Sequence, residues 1–217
     1  MPVALALFDL DNTLLNGDSD HSWGMYLAQI GAVDANIQKQ KQDFFYQQYL
    51  AGELNIFEFC EFQFTVLKQN NLEQLHRWRD DFLDTVIAPM IQNGKAELIE
   101  PHRQAGDELV IITATNDFIT APIAERLNIP TLLATTAEFI DGRYTGKVSG
   151  TPCYQEGKIE RLNLWLKDRN IPFQDSIFYS DSINDLPLLK LVDTPVAVTP
   201  DDKLRVHASE HNWQIID

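Results

Sequence analysis

The segment Val3-Ala4-Leu5-Ala6-Leu7-Phe8-Asp9-Leu10-Asp11-Asn12-Thr13 is an apolar run of strand length that ends in two aspartates one residue apart. If residues 3–8 form a parallel strand buried on both faces, Asp9 and Asp11 emerge at its carboxyl end, where open α/β sheets bind their ligands. Alternation along the extended chain points both side chains to the same side of the sheet. Carboxylates this close repel each other unless a cation or a phosphoryl group's chemistry requires them, so the segment indicates either a catalytic site or a mere acidic turn.

Length, composition and charge exclude several classes of protein. The chain has 217 residues, of which 44% are hydrophobic, enough for one sizeable domain or a core with a smaller inserted domain. With 17 basic against 32 acidic residues the formal charge is −15, which argues against a nucleic-acid partner. Cys60 and Cys153 lie far apart without metal-ligand spacing. No apolar stretch has signal or membrane-spanning length, so we expect a cytoplasmic protein without a membrane partner.

Residues 16–88 differ from the opening strand, because they are rich in helix formers and aromatic residues and contain no convincing strand. Aromatic residues at helical spacing are typical of a packed core. We predict a helical bundle here, inserted between residues 1–15 and 89–217, which together form an α/β core. Its four helices are expected from Ser19 or Asp20 to Ile30, from Asp34 to Leu50, from Asn55 onward, and from Asn71 to Ile87, just before Pro89.

Further strands are predicted after this insert. The β-branched run 108–116 reads as a second parallel strand, with Thr113 near its carboxyl end. Thr113 either caps the helix that starts near Asp117 or, with backbone N–H groups at that helix N-terminus, binds a phosphate oxygen. Residues 131–135 are apolar, and the Asp-Gly pair within residues 139–146 indicates a hairpin, which we expect to be peripheral.

The last part of the chain adds more polar residues at predicted element ends. Lys158 lies in the first turn of a predicted helix, where a cation is unfavourable for the helix dipole and needs an anionic partner, unless it is simply a surface lysine. Residues 176–180 form another apolar strand that leads into Asp181 and Asp185, with Asn184 between them. Residues 195–198 and 213–216 are predicted as the final strands.

Taken in order, these segments resemble the four signatures of the haloacid dehalogenase superfamily of phosphohydrolases. Asp9-Leu10-Asp11-Asn12-Thr13 resembles its first motif, DxDx[TV], and residues 180–185 resemble its closing motif, GDxxND, with Ser180 where glycine is usual. The helical insert resembles the cap of the phosphoserine-phosphatase-like branch, subfamily IB. The resemblance implies an α/β fold: a Rossmann-like parallel sheet flanked by helices, with a helical-bundle (C1-type) cap as a lid.

The resemblance also implies a magnesium-dependent hydrolysis of phosphomonoesters. Asp9 is then the nucleophile that forms an aspartyl-phosphate, and Asp11 acts as acid and base in turn. Mg²⁺ is held by Asp9, Asp181 and the backbone carbonyl of Asp11, while Asp185 orients the metal shell. Three residues are implied to bind the phosphate oxygens: Thr113, Lys158 and Asn184.

Substrate choice is expected to lie in the cap. Phosphoserine phosphatases bind the amino acid with a glutamate and a cap arginine; counting along this chain places Asp18 and Gln63 at those positions. Residues 55–66 contain no Arg or Lys, so a bidentate contact to a carboxylate is not available there. Residues 16–84 carry eleven acidic and five basic residues, which either cover the surface or favour a cationic substrate.

We therefore expect a small amine-bearing phosphomonoester as the substrate, histidinol phosphate first and phosphoserine second. His21, near the start of the insert, is a further candidate contact, although a surface role is the commoner use of such a histidine. Two other readings stay open on the sequence: a phosphotransferase that passes the phosphoryl group to a second hydroxyl, and a non-catalytic binding protein. We expect a monomer or a homodimer.

Overall fold

A computed structural model describes residues 4–167, 169, 171 and 173–217. Its centre is a seven-stranded sheet in the order β4-β3-β2-β1-β5-β6-β7, parallel throughout except for the antiparallel β3–β4 pair. The predicted α/β class with a parallel sheet is confirmed. The strands are β1 Leu5–Phe8, β2 Glu108–Asn116, β3 Thr131–Ile140, β4 Arg143–Ser149, β5 Ile177–Ser180, β6 Thr194–Val198 and β7 Gln214–Ile216.

β1 lies in the middle of this sheet and is completely buried. Ala6 and Phe8 pack into the core on one face, and Leu5 and Leu7 into the core on the other. This explains why the opening segment is apolar at every position rather than at alternate ones. The predicted strand began at residue 3, which lies outside the described residues, and its end at Phe8 is confirmed.

Ten α-helices are present in the described part of the chain, together with a π-helical turn at Leu83–Ile87 and short 3₁₀ turns at Ala96–Leu98 and Ile183–Asp185. Within that part, no helix is both long and apolar enough to span a membrane. The α-helices are α1 Ser19–Gln29, α2 Ala35–Ala51, α3 Ile56–Gln69, α4 Leu72–Phe82, α5 Ala88–Gln92, α6 Ile99–Ala105, α7 Asp117–Arg126, α8 Glu156–Leu166, α9 Leu186–Leu189 and α10 Asp202–Glu210.

The insert between β1 and β2 contains the four predicted helices, with two differences at their ends. The N-cap of α1 is Asp18, whose side chain accepts a hydrogen bond from the N–H of His21, rather than Ser19 or Asp20. The last helix does not end before Pro89 but continues through the π-helical turn into α5. Pro89 follows the π-helical turn directly, where the regular i to i−4 hydrogen-bond pattern of the α-helix is already interrupted. The division into core and cap at residues 88 and 89 stays a prediction.

Two chain segments connect the insert to the sheet, and they are hydrogen-bonded to each other. The N–H of Asn16 donates to the carbonyl of Met90, and the N–H of Lys95 donates to the carbonyl of Leu14, each at 3.0 Å. Gly94 permits this contact, since a Cβ there would lie 2.1 Å from the carbonyl oxygen of Leu14. The entry and exit of the insert are therefore held side by side.

The β3–β4 hairpin is not peripheral, as the sequence suggested, because β4 packs against α3 of the insert. A Cβ added to Gly146 of β4 would approach the Lys68 side chain of α3 to 3.0 Å. The sequence could not show this contact, which joins segments about 80 residues apart in the chain. The hairpin supports the insert from the side of the sheet.

Candidate active site

The carboxyl ends of three neighbouring strands bring the predicted catalytic residues together. β1 pairs with β2 on one side and with β5 on the other, in register at Phe8 with Ile111 and Tyr179. Asp9 follows β1 directly, Thr113 lies in β2, and Asp181 follows β5. The expectation that acids after different strands meet at one sheet edge therefore agrees with the topology.

Lys158 lies at the centre of this cluster and is only 2% exposed. Its Nζ lies 2.9 Å from Oδ1 of Asp9, and 2.6 and 2.7 Å from the two carboxylate oxygens of Asp185. Burial alone would lower the pKa of Lys158, but the charges of Asp185 and Asp9 outweigh it and raise the pKa. The lysine is thus a charged partner of two acids and not a surface cation.

A tight turn before α8 delivers Lys158 to this position. Gln155 has the unusual φ of 49°, and Gly157 follows it in the first turn. A Cβ at Gly157 would lie 2.0 Å from the carbonyl oxygen of Pro152, so only glycine fits.

Lys158 contacts both Asp9 and Asp185, and Asp185 has a second hydrogen-bond donor. Burial raises the pKa of Asp9 to about 7, with Lys158 lowering it and Asp185 raising it further. Asp185 also accepts a hydrogen bond from Oγ of Ser180 at 2.7 Å. Ser180 stands where the family signature has glycine, so its hydroxyl supplies a contact that glycine cannot make.

Asp11 is held by two donors. Its Oδ1 accepts from the N–H of Ser19 at 2.6 Å, at the N-terminus of α1, and its Oδ2 accepts from Oγ1 of Thr115 at 2.7 Å. Burial, followed by the charge of Asp18, raises the pKa of Asp11 to about 6. Sequence reasoning did not select Thr115, although its position two residues after Thr113 on the strand was visible.

Thr113 does not cap α7, since Asn116 takes that role with its side-chain oxygen. The Thr113 hydroxyl accepts from the N–H of Thr115 at 3.2 Å, and the residue lines the cavity beside Asp9. The strand register shifts at this point, between Ile112 and Asn116, which is a common device for directing side chains at a site. The capping alternative for Thr113 is therefore wrong.

Asn184 connects the sheet edge to the insert. Its Nδ2 donates to the backbone carbonyl of Tyr49 at 3.2 Å, and its Oδ1 accepts from the hydroxyl of Tyr154 at 3.1 Å. The hydroxyl of Tyr49 donates to Oγ of Ser182 at 2.7 Å. The two tyrosines were not identified from the sequence, and the phosphate-binding role of Asn184 stays a prediction.

The donor set at this edge suits a hard cation. Among the described residues, no three His, Cys, Asp or Glu side chains are already gathered as a metal cluster. Magnesium, however, is commonly held by one or two carboxylates together with waters and a substrate phosphate. Burial, and the charges of Asp9 and Asp185, raise the pKa of Asp181 well above its ordinary value. A cation beside these carboxylates would relieve that repulsion, so the residues fit Mg²⁺.

A cavity of about 210 Å³ extends from these residues to the insert. We call its two ends the sheet edge, which contains Asp9 and Lys158, and the insert end, which is lined by residues of the insert. Among its described lining residues, Lys158 is the one lysine or arginine, against seven aspartates. The insert contributes a polar side with Asp18, Asp20, His21, Gln42 and Gln63. It also contributes an aromatic wall, which consists of Phe45, Tyr46, Tyr49 and Phe59.

Asp20 is the most deeply placed acid at the insert end and was not identified from the sequence. It is 7% exposed. Its Oδ2 accepts from Nε2 of Gln63 at 2.6 Å, and its Oδ1 from Nδ2 of Asn116 at 3.4 Å. Burial, followed by the charge of Asp18, raises the pKa of Asp20 to about 8. The predicted residues Asp18, His21 and Gln63 do line the same cavity.

The sequence profile of the haloacid dehalogenase-like hydrolase family matches residues 6–190 of this chain. The chain belongs to this family. A histidinol-phosphatase of Neisseria meningitidis is 43% identical to it over 217 residues, 98% of each chain. A phosphoserine phosphatase of Mycobacterium tuberculosis is 33% identical, over 99% of this chain and 71% of its own length. This haloacid dehalogenase-like protein is therefore a phosphatase, an enzyme that acts on a small phosphate ester.

Two solved structures share the fold of this chain. A Bordetella pertussis protein of unknown function is 40% identical, with a TM-score of 0.93 over 100% of this chain and 99% of that one. A substrate-bound phosphoserine phosphatase has a TM-score of 0.69 over 100% of this chain and 93% of its own, at 20% identity. At that identity the second likeness concerns the fold alone.

Proposed function

We propose that this enzyme hydrolyses a small amine-bearing phosphomonoester, with histidinol phosphate the favoured substrate, through an aspartyl-phosphate on Asp9 and with Mg²⁺ as cofactor. The observation that carries the proposal is the charge distribution of the cavity. A single cation, Lys158, lies at the sheet edge with Asp9, while Asp18 and Asp20 line the insert end and no lysine or arginine is found among the described residues there. A phosphate at one end and an ammonium at the other match this distribution.

The reaction begins at Asp9, whose carboxylate attacks phosphorus in line with the ester bond. Lys158 is already hydrogen-bonded to Oδ1 of Asp9, so its charge lies where negative charge accumulates on the phosphoryl oxygens. Thr113, which lines the cavity together with Asp9, donates its hydroxyl to an equatorial oxygen. The P–O bond to the leaving group breaks as the bond to Asp9 forms.

Asp11 handles the protons. It gives a proton to the leaving oxygen and then removes one from the water that attacks the aspartyl-phosphate, which releases phosphate and restores Asp9. A pKa raised to about 6 keeps part of Asp11 protonated near neutral pH, as an acid requires. Thr115 and the N–H of Ser19 fix its two oxygens.

Asp9, Asp181 and the backbone carbonyl of Asp11 would hold Mg²⁺, and Asp185 would orient the metal shell from behind. When bound, the ion offsets the repulsion between the Asp9 carboxylate and the phosphate group. Lys158 and Ser180 donate hydrogen bonds to the carboxylate oxygens of Asp185 and so fix its orientation.

The insert end of the cavity favours histidinol phosphate over phosphoserine. Gln63 cannot pair with a carboxylate as an arginine would, and the aspartates at this end repel one. The aromatic wall offers a surface on which an imidazole ring can stack. The similarity to the Neisseria histidinol-phosphatase supports the same choice. Phosphoserine is the second candidate, because the M. tuberculosis relative is a phosphoserine phosphatase.

The test is phosphate release from a panel that contains histidinol phosphate, phosphoserine, sugar phosphates and nucleotides, with and without Mg²⁺. We expect magnesium-dependent release from an amine-bearing ester, and its loss in Asp9→Asn. An acceptor alcohol in parallel assays detects phosphoryl transfer. Transfer with little free phosphate, or no activity on any amine-bearing ester by a folded protein, would contradict the proposal.

A further inference from the structure

At the insert end of the cavity, one buried hydrogen-bond acceptor, the side-chain oxygen of Gln42, has no donor among the described residues. Gln42 of α2 is 5% exposed and lines the cavity. Its Nε2 donates to the backbone carbonyl of His21 at 2.9 Å, whereas its Oε1 has no hydrogen-bond partner among the described residues. A buried amide oxygen without a partner is costly and indicates a missing donor.

Gln42 and Asp20 line the same cavity. The carbonyl that Gln42 contacts is that of His21, the residue that follows Asp20 on α1. Gly24, one turn further along α1, makes room for two side-chain amides of α2, since a Cβ there would lie 2.2 Å from Nε2 of Gln38 and 2.3 Å from Nε2 of Gln42. Gln42 and Asp20 therefore line the same end of the cavity, where one has a side-chain amide oxygen and the other a carboxylate.

Asp20 has neutral hydrogen-bond donors but no cationic partner. Both donors to its oxygens are amides, from Gln63 and Asn116, and no salt bridge to it is found in the described part of the chain. Asp9, by contrast, lies against the ammonium of Lys158. A buried carboxylate that is oriented but not neutralised is suited to a cation that arrives with a ligand.

We propose that Asp20, positioned by Gln63, binds the cationic nitrogen group of the substrate, and that Oε1 of Gln42 accepts a second N–H from the same end of the substrate. This inference rests on the proposed function and assigns its specificity to residues other than Asp18. Asp18 has one oxygen committed to capping α1, through the N–H of His21. The two contacts together select a substrate rich in N–H donors and reject a carboxylate.

The alternative role for Asp20 is purely structural, because its hydrogen bonds join α1 to α3 and to the end of β2. Asp20→Asn separates the two roles, since asparagine keeps the size and an acceptor oxygen but removes the charge. Asp43→Asn is the matched control: it removes one negative charge from the exposed side of α2, next to Gln42. Gly24→Ala keeps the helix and displaces the side-chain amides of both Gln38 and Gln42.

The experiment measures kcat and KM for histidinol phosphate and for an amine-free ester, β-glycerophosphate, and the Kd of histidinol, the product without phosphate. We expect Asp20→Asn to raise KM and Kd for the amines at least tenfold, with kcat/KM for β-glycerophosphate changed less than threefold. Gly24→Ala should weaken histidinol binding severalfold, and Asp43→Asn should leave all values within twofold.

The results distinguish this inference from the proposed function. If the wild type does not prefer the amine-bearing ester, the proposed function fails and the inference with it. If the wild type has the preference and folded Asp20→Asn retains it, only the inference is overturned. Equal losses on both esters in Asp20→Asn would also overturn it, because they would show a structural role.

Discussion

The two ends of the cavity treat buried negative charge in opposite ways. At the sheet edge, Asp9 and Asp185 share the ammonium of Lys158, and Ser180 adds a hydroxyl donor. At the insert end, Asp20 receives only amide donors from Gln63 and Asn116. In the proposed function this difference has a purpose: the sheet edge serves chemistry on any phosphate ester, whereas the insert end is completed only by a cationic group of the substrate.

Removal of the shared cation should produce the largest effect. In Lys158→Met, two buried carboxylates lose their partner, and we expect the free energy of unfolding to fall by about 3–5 kcal/mol at pH 8. Activity should fall by about 10²- to 10³-fold, as for the loss of one charge-stabilising donor. Urea unfolding at pH 8 and pH 5 checks the cause, since protonation of Asp9, whose pKa burial raises, should reduce the defect at pH 5. A defect of equal size at both values would contradict the ion-pair explanation.

The carboxylates should also give the metal-free protein a characteristic pH dependence. Folding raises the pKa of Asp9 to about 7 and that of Asp20 to about 8, above the ordinary 3.8. The folded state therefore binds more protons between about pH 4 and pH 8, so the stabilising contribution of each protonated acid is lost as pH rises through its folded value. At about 1.4 kcal/mol per pKa unit, each of the two shifts corresponds to several kcal/mol.

Thermal unfolding in EDTA at pH 5, 6.5 and 8 measures this dependence. Asp20→Asn should be more stable than the wild type at pH 8 and should lose the advantage towards pH 5. Mg²⁺ at pH 8 should raise the Tm of both proteins, since the proposed metal site lies at the sheet edge and does not include Asp20. If the stability advantage of Asp20→Asn over the wild type increased as the pH fell, the predicted direction of the pKa shift of Asp20 would be wrong.

A cation placed permanently beside Asp20 should shift specificity. Gln63 donates to Asp20 at 2.6 Å, so Gln63→Arg puts a guanidinium where the amide now lies. We expect kcat/KM for histidinol phosphate to fall about tenfold, roughly 1.4 kcal/mol, while that for phosphoserine rises relative to it. Gln63→Met, which removes the amide without adding charge, is the control. If both variants shift the ratio equally, charge at this position does not select the substrate.

The smallest effect is expected where the chain departs from its family signature. Ser180→Gly restores the usual glycine and removes the hydroxyl donor to Asp185. The loss of one buried hydrogen bond to a charged group that keeps Lys158 should cost about 1–2 kcal/mol of stability. Activity should change less than tenfold, because Lys158 still holds Asp185. A complete loss of activity would show that Ser180 takes part in the reaction itself.

The sequence was sufficient for the sheet edge because its residues follow strands. Once Leu5–Phe8 is recognised as a buried strand, Asp9 must emerge at its carboxyl end, and Asp181 follows by the same rule. Ser180 was visible as a departure, but its partner Asp185 was not, since that contact depends on side-chain rotamers. Thr115 was missed because only one hydroxyl on the strand was considered.

The insert end could not be derived in the same way. Asp20 was read as a helix cap, since acids before a helical stretch usually serve that purpose, whereas the cap is Asp18. The meeting of Asp20 with Gln63, and of Gln42 with His21, depends on how α1, α2 and α3 pack, which sequence periodicity does not define. The cytoplasmic localisation and the oligomeric state stay predictions.

The ratio of kcat/KM for histidinol phosphate to kcat/KM for phosphoserine, measured on the wild-type enzyme with Mg²⁺ at pH 8.5, tests the central claim most directly, because Asp20, with a pKa of about 8, is then mostly ionised. Both substrates carry a phosphate and an amine, and the serine ester adds the carboxylate that the insert end should repel. We predict a ratio of about 100 or more, which corresponds to about 2.7 kcal/mol. A ratio of one or less would contradict the claim that the uncompensated carboxylates of the insert end select the substrate.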